Sequence, residues 1–500
     1  MSATTTPAAG TALPGAGRWR RVAPLLGPAL VAAGLGLWNI GRPSMYGTEA
    51  VTYWAGHLSL PTLLHVTSHV DAVHGLYYLL MHLAFALGGG TIALRLPSVL
   101  GMTAAVVLTS VLARRLTGSD RTALLAGLAL AVAPLASDYA QAGRSYAIDA
   151  AAALGTCLLL LRALDAGRTE RRAWHWYTFG LVACAYLHEM TLLMIAAHGV
   201  MLVWSRVPSA TFRRWLRAAL WAIPGSALVI VASIVQSGQV SWIKPANWQT
   251  VRIFSTAFLG PGDPAQRLNL VLLAVAVLTA LVRRGPGVTL VRFALPMLIV
   301  PPVLLIGESA VSTPLYGGVR YLLWCLPALA MLVAHGLDQL LRFARVGRLG
   351  VLVGVAVLAT SLATQWPAEQ RQHSTAGMPQ DLLGEAAYIS AHARPGDGIV
   401  FLPRSFYSAV LAYPRHFTEV RDLVLKHSPQ ASGSLYGTDK SRRAIVAAVD
   451  ASPRVWLVGA PLPVSSTRAE LTPLINDFTV VSRHHVQGVT ITLLRRLAAP

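Results

Sequence analysis

Apolar runs of bilayer-spanning or near-spanning length recur along this chain, and short Arg-rich segments separate them. They fall near residues 22–40, 95–113, 122–137, 147–164, 174–188, 190–205, 218–236, 268–282, 293–309, 321–341 and 349–366. A helix needs roughly 20 apolar residues to cross a hydrocarbon core. No water-soluble core buries so many such runs. Of 500 residues, 54% are hydrophobic and 12% charged, where soluble domains carry about 25% charged residues; the mean hydropathy is +0.54. The chain therefore reads as an α-helical polytopic protein of the plasma membrane, with about eleven to thirteen transmembrane helices. The lipid bilayer is its first partner.

The formal net charge of +20 does not point to nucleic acid. Lys occurs only at 244, 426 and 440, and many of the Arg residues lie in short patches between apolar runs. That is the pattern of cytoplasmic loops facing anionic lipid. The clusters Arg18/Arg20/Arg21, Arg114/Arg115/Arg121, Arg162/Arg168/Arg171/Arg172, Arg206/Arg213/Arg214/Arg217, Arg283/Arg284 and Arg342/Arg345/Arg348 all become cytoplasmic if residues 76–87 do not cross. That stretch is then an interfacial or re-entrant helix; its alternative is a short span paired with another. Residues 1–21 are expected as a disordered cytoplasmic tail, 22–366 as the transmembrane region and 367–500 as an extracytoplasmic α/β domain. The run after Arg21 is long enough to act as a start-transfer anchor rather than a removable signal. Cys157, Cys184 and Cys325 each lie inside an apolar run and read as small core residues.

In the C-terminal part, Asp381–Ala393 and Ser441–Ala451 read as helices, Gly398–Leu402 and Val455–Val458 as buried strands, and Thr479–Leu494 as a hairpin around Gln487-Gly488. It carries no nucleotide-binding glycine loop, zinc spacing or triad motif.

Polar chemistry concentrates in the first external loop, 41–74. The stretch from Tyr46 to Tyr78 holds Glu49, His65, His69, Asp71 and His74, and ionisable groups near a bilayer are costly unless they face water, protein or a ligand. The other external segments are 138–146, the turn at His188 and Glu189, 237–267 and 310–320. Arg42, Arg144, Lys244, Arg252, Arg267 and Arg320 fall on this outer side against the positive-inside rule. An anionic substrate gives them a reason; contact with outer-leaflet phosphates is the simpler one. Other plain readings also stand beside the functional ones. Asp71 could cap a helix that begins near His74, Glu49 could be a first-turn helix acid, and Arg144 could pair with Asp138 or Asp149. His188 and Glu189 could be a solvated turn, and Tyr77 and Tyr78 interfacial belt aromatics. His65, His69 and His74 have no metal-ligand spacing. No metal residues are assigned, and a divalent metal stays open as a cofactor.

The segments "YGTEAVT", "HVDAVHGLYYLLMH", "ALRLPSVL", "YAQAGRSYAID" and "PLYGGVRYLLWCLPALAMLVAHGL" occur in that order. Over residues 22–366 this resembles the GT-C superfamily of polytopic glycosyltransferases. It is most similar to bacterial family-39-like members related to protein O-mannosyltransferases and lipid A aminoarabinose transferases, in a form associated with actinobacteria. The resemblance implies a GT-C-like helical fold with an external cap and a polyprenyl-phosphate-linked sugar as donor, with mannose the first choice. A glycan, glycolipid or protein hydroxyl is the acceptor. The family shows Asp-Glu-Ala in the first external loop; here Thr48-Glu49-Ala50 replaces it. With the leading Asp absent, Glu49 is the expected catalytic base, and Asp71 the second catalytic carboxylate. His74, Arg144, His188, Arg320 and Tyr321 are the expected substrate-binding residues, with Arg144 and Arg320 on the lipid phosphate, because a guanidinium binds phosphate oxygens bidentately. Two rival functions stand: a lipid or lipid-linked sugar transporter, and a catalytically inactive GT-C-like scaffold.

Overall fold

The computed structural model describes residues 16–166, 170–260, 262–282, 285–459 and 477–497. Helix α1 (Ala16–Leu37) opens the chain, so residues 16–21 of the expected tail are helical and the rest of that expectation lies outside the described residues. The first loop is itself helical: α2 (Gly47–Gly56), α3 (Leu60–His69) and α4 (Gly75–Ala86). At roughly 1.5 Å per residue, α4 is too short to cross a bilayer. Ser59 caps α3, its hydroxyl accepting the Thr62 N–H at 3.4 Å, and Pro61 sits in the first turn, where its missing donor costs nothing.

The long helices follow as α5 (Gly90–Thr117), α6 (Asp120–Ala131), α7 (Pro134–Ala140), α8 (Tyr146–Asp165), α9 (Arg171–Leu187), α10 (Met194–Trp204), α11 (Ser209–Gly225), α12 (Ala227–Val235), α13 (Trp248–Leu259), α14 (Asp263–Val282), α15 (Pro286–Val311), α16 (Leu326–Phe343) and α17 (Gly350–Gln372). Among the described residues six helices are long and apolar enough to span, or eight if the bent pairs α6/α7 (64°) and α11/α12 (53°) each count as one. This is fewer than the eleven to thirteen expected. The difference lies mainly in shorter pieces such as Val22–Leu37 and Glu189–Trp204, which hydropathy alone counts as spans. Trp221, Leu228, Val235 and Leu281 project outward, exposed, as a lipid-facing surface requires. Inside, α5 meets α8 so closely that a Cβ on Gly101 would lie 2.7 Å from the Ile148 nitrogen.

The extracytoplasmic domain holds α18 (Leu382–His392), β1 (Asp397–Leu402), α19 (Ser408–Ala412), β2 (Val420–Asp422), β3 (Leu425–His427), α20 (Pro429–Ser432), β4 (Thr438–Asp439), α21 (Arg442–Asp450), β5 (Arg454–Gly459), β6 (Phe478–Val486) and β7 (Val489–Arg496). The main sheet runs β2-β1-β5-β7-β6. β1 is parallel to β2 and β5, while β7 is antiparallel to β5 and β6. The expected helices, strands and hairpin are all present within a residue or two of their expected ends. Leu382, Ala386 and Ile389 of α18 share one buried cluster with Phe401 and Trp456 of the sheet and with Trp54, Leu63, Tyr77 and Tyr78 of the first loop. The first loop and the C-terminal domain thus have a common core, and that core fixes the loop over the helix ends.

Candidate active site

Glu49 lies in the first turn of α2 and is fully enclosed. Its Oε1 accepts from Arg95 Nε at 2.9 Å and from the Gly143 N–H at 2.8 Å; its Oε2 accepts from Arg95 Nη2 at 2.7 Å. Arg95 also donates to the Ile40, Pro43 and Ser44 carbonyls. The pair staples α2, α5 and the 141–145 turn together, and the carboxylate expected as base is enclosed by them.

Asp71 is held differently. It has φ 60°, a left-handed conformation that Asp tolerates better than most residues. Two glutamines clamp it there: the Asp71 N–H donates to Gln239 Oε1 at 3.0 Å and the Ala72 N–H to Gln236 Oε1 at 2.9 Å. Asp71 precedes the short Ala72–His74 turn but makes no side-chain cap there. Its Oδ2 instead accepts from the Tyr78 hydroxyl. Arg144 Nη1 donates to Thr52 Oγ1 at 3.3 Å and to the Tyr78 hydroxyl at 3.5 Å, not to Asp138 or Asp149. Tyr77 and Tyr78 are 0% and 1% exposed, so they are interior groups, not belt aromatics.

The remaining expected residues converge on this point. His74 Nε2 is 3.9 Å from Asp71 Oδ1. Burial, then the Arg144 and Arg320 charges, push the His74 imidazole well below its ordinary range, so that contact is between a neutral ring and a carboxylate. His188, in the turn after α9, has its ring 6.3 Å from His74 and 4.8 Å from Tyr321. It too is pushed well down by burial, then by His74, Arg144 and Arg320. Arg320 stands over the Tyr321 ring at 5.5 Å, in the short helix Val319–Cys325 that leads into α16. The His65 and His69 rings sit 4.7 Å apart in a tilted contact along the exposed side of α3 instead of turning inward. No group of three His, Cys, Asp or Glu side chains able to hold a metal occurs among the described residues.

Three features were missed in the sequence. Tyr146 packs against His188 at 5.5 Å and Tyr321 at 6.4 Å. Tyr436 reaches the site from the C-terminal domain, where burial and then the Asp71 carboxylate push its hydroxyl up to about 12. A polar cavity of about 180 Å³ on the Arg320 side is lined by Tyr46, Thr48, Asp138, Tyr146 and His373 among others. The chain separation of Tyr436 and His373 from the loop hides them from any local motif. A second, apolar groove of about 710 Å³ runs between α13, α14 and α15, and Leu329 of α16 lines it.

The fold has counterparts among solved structures. ArnT from Cupriavidus metallidurans in the apo state superposes over 96% of this chain and 98% of its own, at a TM-score of 0.61 and 14% identity. The chain has a GT-C-like fold. Other GT-C structures agree. ArnT bound to undecaprenyl phosphate gives a TM-score of 0.57 at 14% identity, over 95% of this chain and 98% of its own. The Archaeoglobus fulgidus oligosaccharyltransferase in the apo form gives 0.53 at 10% identity, over 93% of this chain and 73% of that one. The arabinofuranosyltransferase AftD from Mycobacteria gives 0.52 at 17% identity; 98% of this chain is covered, but 40% of AftD. The sequence model of the dolichyl-phosphate-mannose-protein mannosyltransferase family matches residues 75–235, which include Arg144 and His188 but neither Glu49, Asp71 nor Arg320. No curated protein sequence matches the chain at a significant level.

Proposed function

We propose that this chain is a plasma-membrane glycosyltransferase of the family-39-like, actinobacterial type, with its N-terminus cytoplasmic. It moves a sugar, mannose, from a polyprenyl phosphate to a hydroxyl of a cell-envelope glycan, glycolipid or protein. The observation that carries this reading is that the Arg144 and Arg320 charges both act on two buried neutral histidines, His74 and His188, beside the buried Asp71, which Arg144 also faces. In this reading Arg144 and Arg320 hold the departing lipid phosphate, where fixed guanidinium charge stabilises the transition state. Asp71 takes the acceptor proton as the acceptor oxygen bonds to the anomeric carbon and the carbon–phosphate oxygen bond breaks, with inversion. Glu49, sealed by Arg95, positions α2 and the 141–145 turn. His74, His188 and Tyr321 face the sugar.

The apolar groove is the place for the polyprenyl tail, because the segment bearing Arg320 runs directly into α16, whose Leu329 lines that groove. ArnT, which shares the fold, has been seen with undecaprenyl phosphate. A second reading of the base rests on one observation: Asp138 shares its cavity with Thr48, the position of the family's leading Asp. Comparison of envelope glycans, glycolipids and glycoproteins by mass in a gene deletion tests the proposal. A missing hexose supports it, and an unchanged envelope counts against it.

A further inference from the structure

A cavity of about 610 Å³ opens where the first loop meets the C-terminal domain, and none of its lining residues belongs to the Asp71 cluster. Tyr53, Trp54 and His57 form one wall, Tyr413, Arg415 and His416 the other. We propose that this cavity is an oligosaccharide subsite that holds a neutral glycan acceptor, an inference that rests on the glycosyl-transfer reading above.

The side-chain chemistry selects a sugar. Sugars present apolar C–H faces alternating with hydroxyls that both donate and accept, and the cavity offers aromatic faces with polar atoms between them. His57 is held between Tyr53 and Phe85, with ring centroids 4.3 Å from each. Its Nδ1 lies 2.7 Å from the Tyr53 carbonyl, which assigns the proton to that nitrogen and leaves Nε2 as an acceptor. Trp54 is 7% exposed, and its indole N–H, a donor only, has no partner among the described residues. That nitrogen is fully enclosed, so Trp54 offers the cavity ring surface and no hydrogen bond. Tyr413 is fixed in place because its hydroxyl accepts the Met45 N–H at 3.3 Å. Arg415 is exposed at the rim. One guanidinium without a second is a poor phosphate cradle. The volume falls within the roughly 300–1,000 Å³ of ordinary ligand pockets.

Position explains the role. Asp71, the proposed base, does not line this cavity. A glycan seated here is therefore gripped away from its reacting hydroxyl, and a chain of several sugars gains contacts that a single sugar does not.

The test uses the full chain in detergent or nanodiscs with three linear trisaccharides, of glucose, mannose and arabinose, and reads binding by calorimetry or saturation-transfer NMR. At least one trisaccharide binds the wild type, and Arg415→Ala, His416→Ala and Trp54→Phe each weaken it about tenfold. Lys426→Ala, exposed and outside the cavity lining, leaves that affinity unchanged. If none of the three binds, or if the one that binds does so equally well to all three cavity variants, the inference is overturned. Retained trisaccharide binding in a protein that fails to bind polyprenyl phosphate would sink the transfer reading alone.

Discussion

Glu49 and Arg95 form a doubly hydrogen-bonded ion pair that is enclosed on both sides, 0% and 1% of the two side chains being exposed. Removing one partner of such a pair strands the other charge, at a cost of about 3–5 kcal/mol. Glu49→Gln should therefore lower thermal stability strongly. Joint replacement, Glu49→Leu with Arg95→Met, should recover only part of it, because the Ile40, Pro43 and Ser44 carbonyls and the Gly143 N–H lose their partners. Unfolding of the purified variants followed by circular dichroism checks both, and an inactive Glu49→Gln variant of wild-type stability would return Glu49 to the chemistry.

This pair also marks a relationship that the sequence does not display. The Thr48-Glu49-Ala50 motif singles out Glu49, but its partner is 46 residues away within α5, and nothing local shows that the carboxylate is already taken. Asp71, His74, Arg144, His188 and Arg320 drew attention in the sequence because charge and imidazole on outer turns have few reasons to be there, and the structure brings them near one another. Tyr78 looked like a belt aromatic because its neighbours are apolar. Its role follows only from the left-handed turn at Asp71, which Gln236 and Gln239 hold from more than 160 residues away. Four strands of the five-stranded C-terminal sheet were readable, while the short edge strand β2 and the core shared with the first loop were not, since that packing joins distant segments.

Donor binding tests the guanidinium groups. Arg320→Ala should raise the Kd for a polyprenyl-phosphate sugar about tenfold or more, and Arg320→Lys should restore only part, because a point charge lacks the planar fork. Fluorescence titration with a labelled donor analogue measures this. Unchanged affinity in the Ala variant would remove Arg320 from the site.

The two histidines give a pH dependence. Both fold with values well below the ordinary 6.5 or so, so the unfolded chain binds more protons than the folded one in that window. Stability is then fully present above about pH 6.5 and falls as the pH drops toward the folded values, by up to about 1.4 kcal/mol per unit for each ring. Thermal unfolding between about pH 7 and 5 should show this fall, and His188→Phe should make it shallower. An unaltered slope in the variant would contradict the assignment.

Sidedness can be read by thiol labelling. Cysteines at Ser59 and Gln430 should react with an impermeant reagent in intact spheroplasts, and one at Ala344, between α16 and α17, should not. The reverse pattern would place the Asp71 cluster on the wrong face for an external transfer.

The most direct measurement is turnover and donor affinity of Asp71→Asn beside Asp138→Asn, on an acceptor identified from the deletion strain. Loss of a general base lowers turnover by about 10²- to 10⁴-fold while leaving ground-state binding largely intact. Asp71→Asn should do this with a near-wild-type donor Kd, and Asp138→Asn should stay within about tenfold of wild type. Full turnover in Asp71→Asn, above all with Asp138→Asn inactive, would contradict the account and move the chemistry to the cavity beside Thr48.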